Sequence, residues 1–125
     1  MTTALESASR SDLAWIKTHG TGTRVNDAAE CAGLARVFGD RLTEIPITSL
    51  KSTLGHCLGA SGAVEAVATV LCVEDAIIPA TIGTKTADPT LPPCTVATTI
   101  RESTGASVLL LAESFGGRCA AMVIT

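Results

Sequence analysis

Apolar residues recur along this chain with two periods, and the places where the period changes outline its elements. Leu13 to Thr18 is a short apolar run with β-branched and aromatic members that stops at Gly20, which predicts a buried strand feeding a loop. The loop His19–Val25 holds two glycines and two threonines, a composition suited to tight backbone turns and local hydroxyl hydrogen bonds. Asn26 or Asp27 then caps a helix, and Glu30 follows Asp27 at capping-box spacing. Ala28, Cys31, Ala32, Leu34, Ala35 and Phe38 keep a helical period, and Gly39 ends it. Pro46 opens a second strand, Ile47–Leu50.

A glycine-rich stretch, 55–62, leads into a second helix at roughly 62–75. Its predicted buried stripe is Val64, Val67, Ala68, Leu71 and Cys72, with Glu65, Glu74 and Asp75 facing outward. Ile77–Ile82 reads as extended, and residues 83–95, with three prolines, as a surface loop. Two closing strands, Ser107–Ala112 and Ala120–Thr125, flank the turn Glu113–Cys119. Residues 1–12 are a short helix or a frayed segment ahead of one domain at 13–125. Strand–helix–strand–helix followed by three strands predicts an α/β fold, a mixed sheet with helices packed on it. Loops after strands are where such sheets place their sites.

Composition narrows the function. Aromatics are only 2% against 46% hydrophobic residues, so the core is built from Ala, Val, Leu and Ile. A net charge of −3 without a basic cluster excludes nucleic acid and anionic membranes as expected partners. No apolar run approaches the roughly 20 residues of a membrane span, and MTTALESASR has no signal-peptide core, so the expected compartment is the cytoplasm. The five cysteines form no C-x-x-C pair and read as free thiols serving as small hydrophobes; no metal site is expected.

Chemistry concentrates in two loops, His19–Glu30 and Leu50–Gly62. The only two histidines, His19 and His56, each stand beside a glycine in a loop after an apolar strand. Imidazole donates to a developing oxyanion or exchanges protons near neutral pH, so a pair suits carbonyl chemistry. Lys51, set among hydroxyl residues, calls for a carboxylate partner, with Asp27 and Glu30 as candidates. Both carboxylates also suit a plain capping role at a helix start. The glycines at 55, 59 and 62 fit neither nucleotide fingerprint.

His19-Gly-Thr-Gly-Thr with Asn26-Asp27 and Glu30, then Lys51-Ser-Thr-Leu-Gly-His56 and Gly59-Ala-Ser-Gly-Ala-Val-Glu65, resemble the C-terminal half of β-ketoacyl synthases. These are the thiolase-fold condensing enzymes of fatty acid and polyketide synthesis. The resemblance runs from about Leu13 onward, and the tail Phe115-Gly-Gly with Ala120-Ala-Met-Val-Ile is similar to discrete, type II polyketide-type ketosynthases. It implies that His19 and His56 assist decarboxylation of malonyl-acyl carrier protein and stabilise the enolate or thioester oxyanion. It implies that Lys51 pairs with Glu30, that Thr21 and Thr23 contact the phosphopantetheine arm, and that Phe115 with Gly116 gates the acyl pocket. No resident cofactor is implied, since substrates ride on the carrier's phosphopantetheine.

The family's nucleophilic cysteine lies in an N-terminal half that these residues do not include, and Cys57 does not occupy its position. Glu113-Ser114 and Arg118-Cys119 also depart from the family's tail. The resemblance therefore implies a split ketosynthase: a hetero-oligomer with a chain supplying the nucleophile, served by an acyl carrier protein. A mean hydropathy of +0.41 agrees with an apolar face in need of cover. The alternatives are a non-catalytic, chain-length-factor-like or scaffold subunit, and a thiolase-like degradative enzyme.

Overall fold

The structure, a computed structural model, describes residues 13–105 and 107–125. The short helix or frayed segment predicted within residues 1–12 lies outside the described residues. Strand β1 (Leu13–Lys17) leads to helix α1 (Arg24–Phe38), which runs into a 3-10 turn (Gly39–Thr43). Strand β2 (Pro46–Thr48) is followed by a one-turn helix α2 (Lys51–Leu54), a 3-10 turn (Leu58–Ala60) and helix α3 (Ser61–Glu74). Short strands β3 (Ile77–Ile78), β4 (Thr95–Val96) and β5 (Arg101–Glu102) precede the long pair β6 (Ser107–Ser114) and β7 (Arg118–Ile124).

Five strands form one sheet in the order β4-β2-β1-β6-β7. β1, β2, β4 and β6 run parallel, and β7 is antiparallel to β6. β3 and β5 make a separate antiparallel ribbon. The mixed α/β sheet is therefore as expected.

Alternation along β1 divides the core in two. Ile16 joins Leu34 of α1, Leu42, Ile45, Ile47, Leu109 and Leu111 on one face. Trp15 turns the other way, to Ile78, Ala97 and Val108, with Cys72 and Val73 of α3 beside them. Each aliphatic side chain buried in these clusters contributes about 1.5–3 kcal/mol. Truncating Leu34, fully buried at the centre of α1, to Ala costs about 2–5 kcal/mol.

Several boundaries differ from the sequence expectation, each for a local reason. Helix α1 starts at Arg24, ahead of Asn26 or Asp27, and the Thr23 carbonyl accepts the Asp27 amide at 2.9 Å. The Asp27 carboxylate instead accepts the Gly22 amide at 3.2 Å, so it ties down the preceding loop. β2 ends at Thr48 because Leu50 already accepts the Leu54 amide at 2.9 Å in an unforeseen turn of helix. Past Ile78 the chain leaves the ribbon, and the Thr81 amide bonds the Ala97 carbonyl at 2.7 Å. The closing strands pair further than expected, from Val108↔Ile124 to Ser114↔Arg118, because Gly116 (φ 81°) and Gly117 (φ 74°) complete a tight turn.

The largest correction concerns α3. Ser61, Glu65 and Thr69 are its buried residues, while Val67 and Leu71 are 63% and 55% exposed and Val64 and Val70 are also exposed. Ala68 and Cys72 are half-buried, so the predicted stripe holds only in part. The polar stripe turns inward because two lysines beneath the helix need its carboxylate. Among the described residues no helix is long and apolar enough to cross a membrane.

Candidate active site

β1 and β2 are parallel, so His19 and the start of α2 leave the sheet at the same end. Gly20 makes the first turn. Its φ of +47° is left-handed, and a Cβ there would lie 2.6 Å from Ser49 Cβ. The His19 and Gly20 amides donate to the two Glu30 oxygens at 2.6 and 2.9 Å, and Ser49 Oγ donates to the Gly20 carbonyl at 2.6 Å. Glu30 is thus a backbone clamp holding His19 at the strand end. Burial raises its pKa, with the two amide bonds pulling the other way.

Lys51 does not pair with Glu30. Both Glu30 oxygens serve the loop amides, and Lys51 Nζ instead donates to Glu65 Oε1 at 2.6 Å. Glu65, 2% exposed, takes a second ammonium on Oε2 from Lys17, which is 0% exposed on β1. Burial lowers the Lys17 pKa, against the pull of Glu65. Two lysines sharing one carboxylate leave a net positive charge beneath the histidines. Lys51 Nζ also lies 3.3 Å from His19 Nδ1.

That contact sets the tautomer of His19. An ammonium donates only, so Nδ1 accepts and the ring proton sits on Nε2. Burial first, then the Lys51 and Lys17 charges, lower the His19 pKa to about 4, so the ring is neutral at pH 7. His56 is fixed the same way: its Nδ1 accepts the Leu58 amide at 3.1 Å and contacts Ser61 Oγ at 2.9 Å, which leaves its proton on Nε2. The two rings meet edge to face with centroids 5.5 Å apart. Two neutral imidazoles, each with an Nε2–H donor, therefore stand side by side.

The remaining candidates sit further out. Thr21, half-buried, and Thr23, exposed, sit on the loop rim with their hydroxyls 2.9 Å apart. Phe115 and Gly116 occupy the β6–β7 turn, beyond the same end of the sheet. The Phe115 ring is 99% exposed and does not pack on the histidines. His19, His56 and Lys51 are thus brought together, Glu30 acts on the backbone of His19, and Phe115 and Gly116 stand apart. Lys17 and Glu65 escaped the sequence reading. Lys17 alternates with Trp15 on an apolar strand, and Ser61, Glu65, Thr69 and Cys72 repeat at helical spacing, so both carried a signal. Among the described residues, no three of His, Cys, Asp and Glu gather as metal ligands do.

A family profile described as β-ketoacyl synthase, C-terminal domain, matches residues 1–85. The tetracenomycin polyketide synthase ketoacyl synthase alpha subunit of Streptomyces glaucescens is 39% identical across 99% of this chain and 30% of its own length. The ishigamide ketosynthase/chain length factor superposes with a TM-score of 0.90 at 32% identity, over 98% of this chain and 30% of that one. A type II polyketide ketosynthase solved in complex with its acyl-carrier protein, AntDE:AntF, gives a TM-score of 0.91 at 32% identity, over 98% of this chain and 31% of that one. The chain spans under a third of the length of these three proteins.

Proposed function

This chain belongs to the β-ketoacyl synthase family through its C-terminal domain, and from that premise we propose that it supplies the two-histidine half of a polyketide-type condensing site. The observation that carries the proposal is the pair of neutral imidazoles with Nδ1 engaged and Nε2–H free. In the reaction, an acyl group waits as a thioester on a cysteine of a partner chain with the N-terminal half of the fold. Malonyl-carrier protein enters, and the Nε2–H groups of His19 and His56 donate to its thioester oxygen. The bond to the carboxylate breaks, carbon dioxide leaves, and its electron pair forms an enolate whose oxygen the two donors hold. The enolate carbon attacks the acyl carbonyl, the partner's thiolate departs, and a β-ketoacyl-carrier protein results.

Neutral rings are required for donation at both Nε2 atoms without a proton being lost. Burial first, then the charges of Lys51 and Lys17, keeps His19 neutral, and Glu65 holds both ammoniums in place. Glu30 fixes the His19 backbone. Thr21 and Thr23 contact the phosphopantetheine arm at the rim, and Phe115 with Gly116 closes on the acyl chain once a partner covers the hairpin. Decarboxylation and carbon–carbon bond formation at a thioester require no resident cofactor, and the reaction runs in the cytoplasm.

Hetero-oligomerisation is supported by the outward face of α3, where Val64, Val67, Val70 and Leu71 stand exposed together. A scaffold or chain-length-factor-like role has no chemical use for the imidazole pair. The test assembles the chain with one carrying a ketosynthase N-terminal half and measures carbon dioxide release from malonyl-carrier protein. His19→Ala and His56→Ala each reduce release at least about 100-fold while the assembly keeps its mass. Unchanged release by both variants would overturn the catalytic reading in favour of the scaffold.

A further inference from the structure

His19 and Lys51 meet at 3.3 Å, yet they follow different strands and are held by different helices. Glu30 clamps the His19 and Gly20 amides to α1, while Glu65 holds the Lys51 ammonium to α3. A lysine stem has four rotatable bonds, so the contact with the ring lasts only if the two backbones are tied together. The β1–β2 ladder closes at Thr18, whose amide and hydroxyl both donate to the Thr48 carbonyl, at 2.9 and 3.0 Å. Past that point Ser49 Oγ joins the two backbones. It donates to the Gly20 carbonyl at 2.6 Å and accepts the Lys51 amide at 3.3 Å. That amide is the first of α2, which the helix leaves without an internal partner.

We propose that Ser49 is a positioning residue of the two-histidine site, its hydroxyl locking the His19 loop to the start of α2 so that Lys51 stays at His19 Nδ1 and the ring proton stays on Nε2. Ser49 is itself fixed on every side. It is 7% exposed, and Gly20 lies so close that a Cβ there would be 2.7 Å from Ser49 Oγ. Its amide donates to Thr81 Oγ1 at 3.0 Å, and Thr81 is anchored in turn by its own amide on the Ala97 carbonyl at 2.7 Å. The Ser49 carbonyl accepts Ser52 Oγ at 3.0 Å, and Ser52 Oγ accepts the Ile82 amide at 2.9 Å. Thr81 and Ile82 therefore strap the Ser49–Ser52 turn from outside. Without the Ser49 hydroxyl, His19 stays with α1 while Lys51 follows α2 and α3, and Nδ1 is released to carry the ring proton for part of the time. The Nε2 donor is then absent whenever the proton sits on Nδ1. The cost in rate rests on the condensing reading, whereas the place of the ring proton does not.

The test reads the ring and the reaction separately, in the full chain, with Ser49→Ala and Thr81→Val. Both variants keep Lys51, Lys17, Glu65 and His56, the groups whose charges act on His19. Nitrogen-15 NMR of the imidazoles reports which nitrogen carries the proton. The parent is expected to hold it on Nε2. Ser49→Ala is expected to show a share on Nδ1 and a His19 pKa raised from about 4 by about one unit, and Thr81→Val a smaller change in the same direction. A plain loss of stability would move neither in the molecules that remain folded, and Thr81→Val carries the readout if Ser49→Ala does not fold. Assembled with a chain carrying a ketosynthase N-terminal half, Ser49→Ala is expected to lower kcat for carbon dioxide release about 10-fold, with KM for malonyl-carrier protein within about twofold. A parent-like proton position and pKa, or an unchanged kcat where His19→Ala abolishes release, would overturn the proposal. Full release by His19→Ala would instead sink the condensing reading and leave the NMR result to decide the role of Ser49.

Discussion

Replacing Glu65 with Gln tests the electrostatic arrangement on which the site rests. The change keeps the shape of the side chain and removes the charge that Lys17 and Lys51 share. Lys51 retains its contact with His19 Nδ1, whereas Lys17, 0% exposed, keeps no carboxylate at hydrogen-bond distance among the described residues. Removing one partner of a buried pair costs about 3–5 kcal/mol. Deprotonation of Lys17 sets a ceiling on that cost. Losing the proton of a lysine of ordinary pKa at pH 7 takes about 4–5 kcal/mol, and burial has already lowered this one. We therefore expect Glu65→Gln to lose about 3–4 kcal/mol at pH 7 in urea unfolding. The sign of the pH dependence follows from the lowered folded pKa. The unfolded state holds the Lys17 proton more tightly, so stability rises with pH and the deficit narrows between pH 7 and pH 10. Lys17→Met in the Glu65→Gln background should recover about 2 kcal/mol in a double-mutant cycle. A loss below about 1 kcal/mol, with no coupling and no pH dependence, would refute the shared-carboxylate account.

Three further outcomes follow from the same geometry. The His19 pKa of about 4, against an ordinary value near 6.5, means that stability falls as pH drops from 6.5 toward 4, by about 3 kcal/mol at most; NMR titration of the His19 ring, still neutral at pH 5.5, checks it. Gly20→Ala introduces a left-handed alanine with its Cβ against Ser49, and should lower stability by about 2–4 kcal/mol in urea unfolding. Ser61→Ala removes one of the two groups at His56 Nδ1 but leaves the Leu58 amide, so decarboxylation in the assembled enzyme should fall only about 3–10-fold, with folding stability within about 1 kcal/mol of the parent.

Strands β1, β2, β6 and β7 and the two long helices were legible because their periods are local, whereas the two-residue strands β4 and β5 are too short to carry one. Leu13–Lys17 alternates around Ile16, and α1 ends at Gly39 as its pattern requires. His19, His56 and Lys51 were legible as one site because glycines and hydroxyl residues surround each of them after an apolar strand. The identity of the carboxylate partner was not. Glu30 and Glu65 are both glutamates on helices near the site, and only the fold shows that two backbone amides use up the first. Spacing along one chain says which groups are near in sequence, while the demand for charge neutralisation is met by whatever is near in space.

Helix α3 shows why periodicity chose the wrong face. Its sequence is apolar nearly all round, so Val64, Val67 and Leu71 and the Ser61-Glu65-Thr69 stripe both satisfy a helical repeat. Hydrophobicity alone ranks the valines as the buried stripe. The structure inverts the ranking because Lys17 and Lys51 would otherwise be buried unpaired, a penalty larger than the gain from turning two or three valines inward. The aliphatic face is left for a different surface, and the same inversion that defeats the periodic reading gives the chain both its charged site floor and its apolar outer wall. Polar residues toward its own sheet and valines toward solvent are what the proposed partner chain would require of α3. Substituting Val67→Lys should therefore leave the folding stability of the chain within about 0.5 kcal/mol and abolish assembly with a ketosynthase N-terminal half. Retained assembly, measured by co-elution, would show that the partner docks elsewhere.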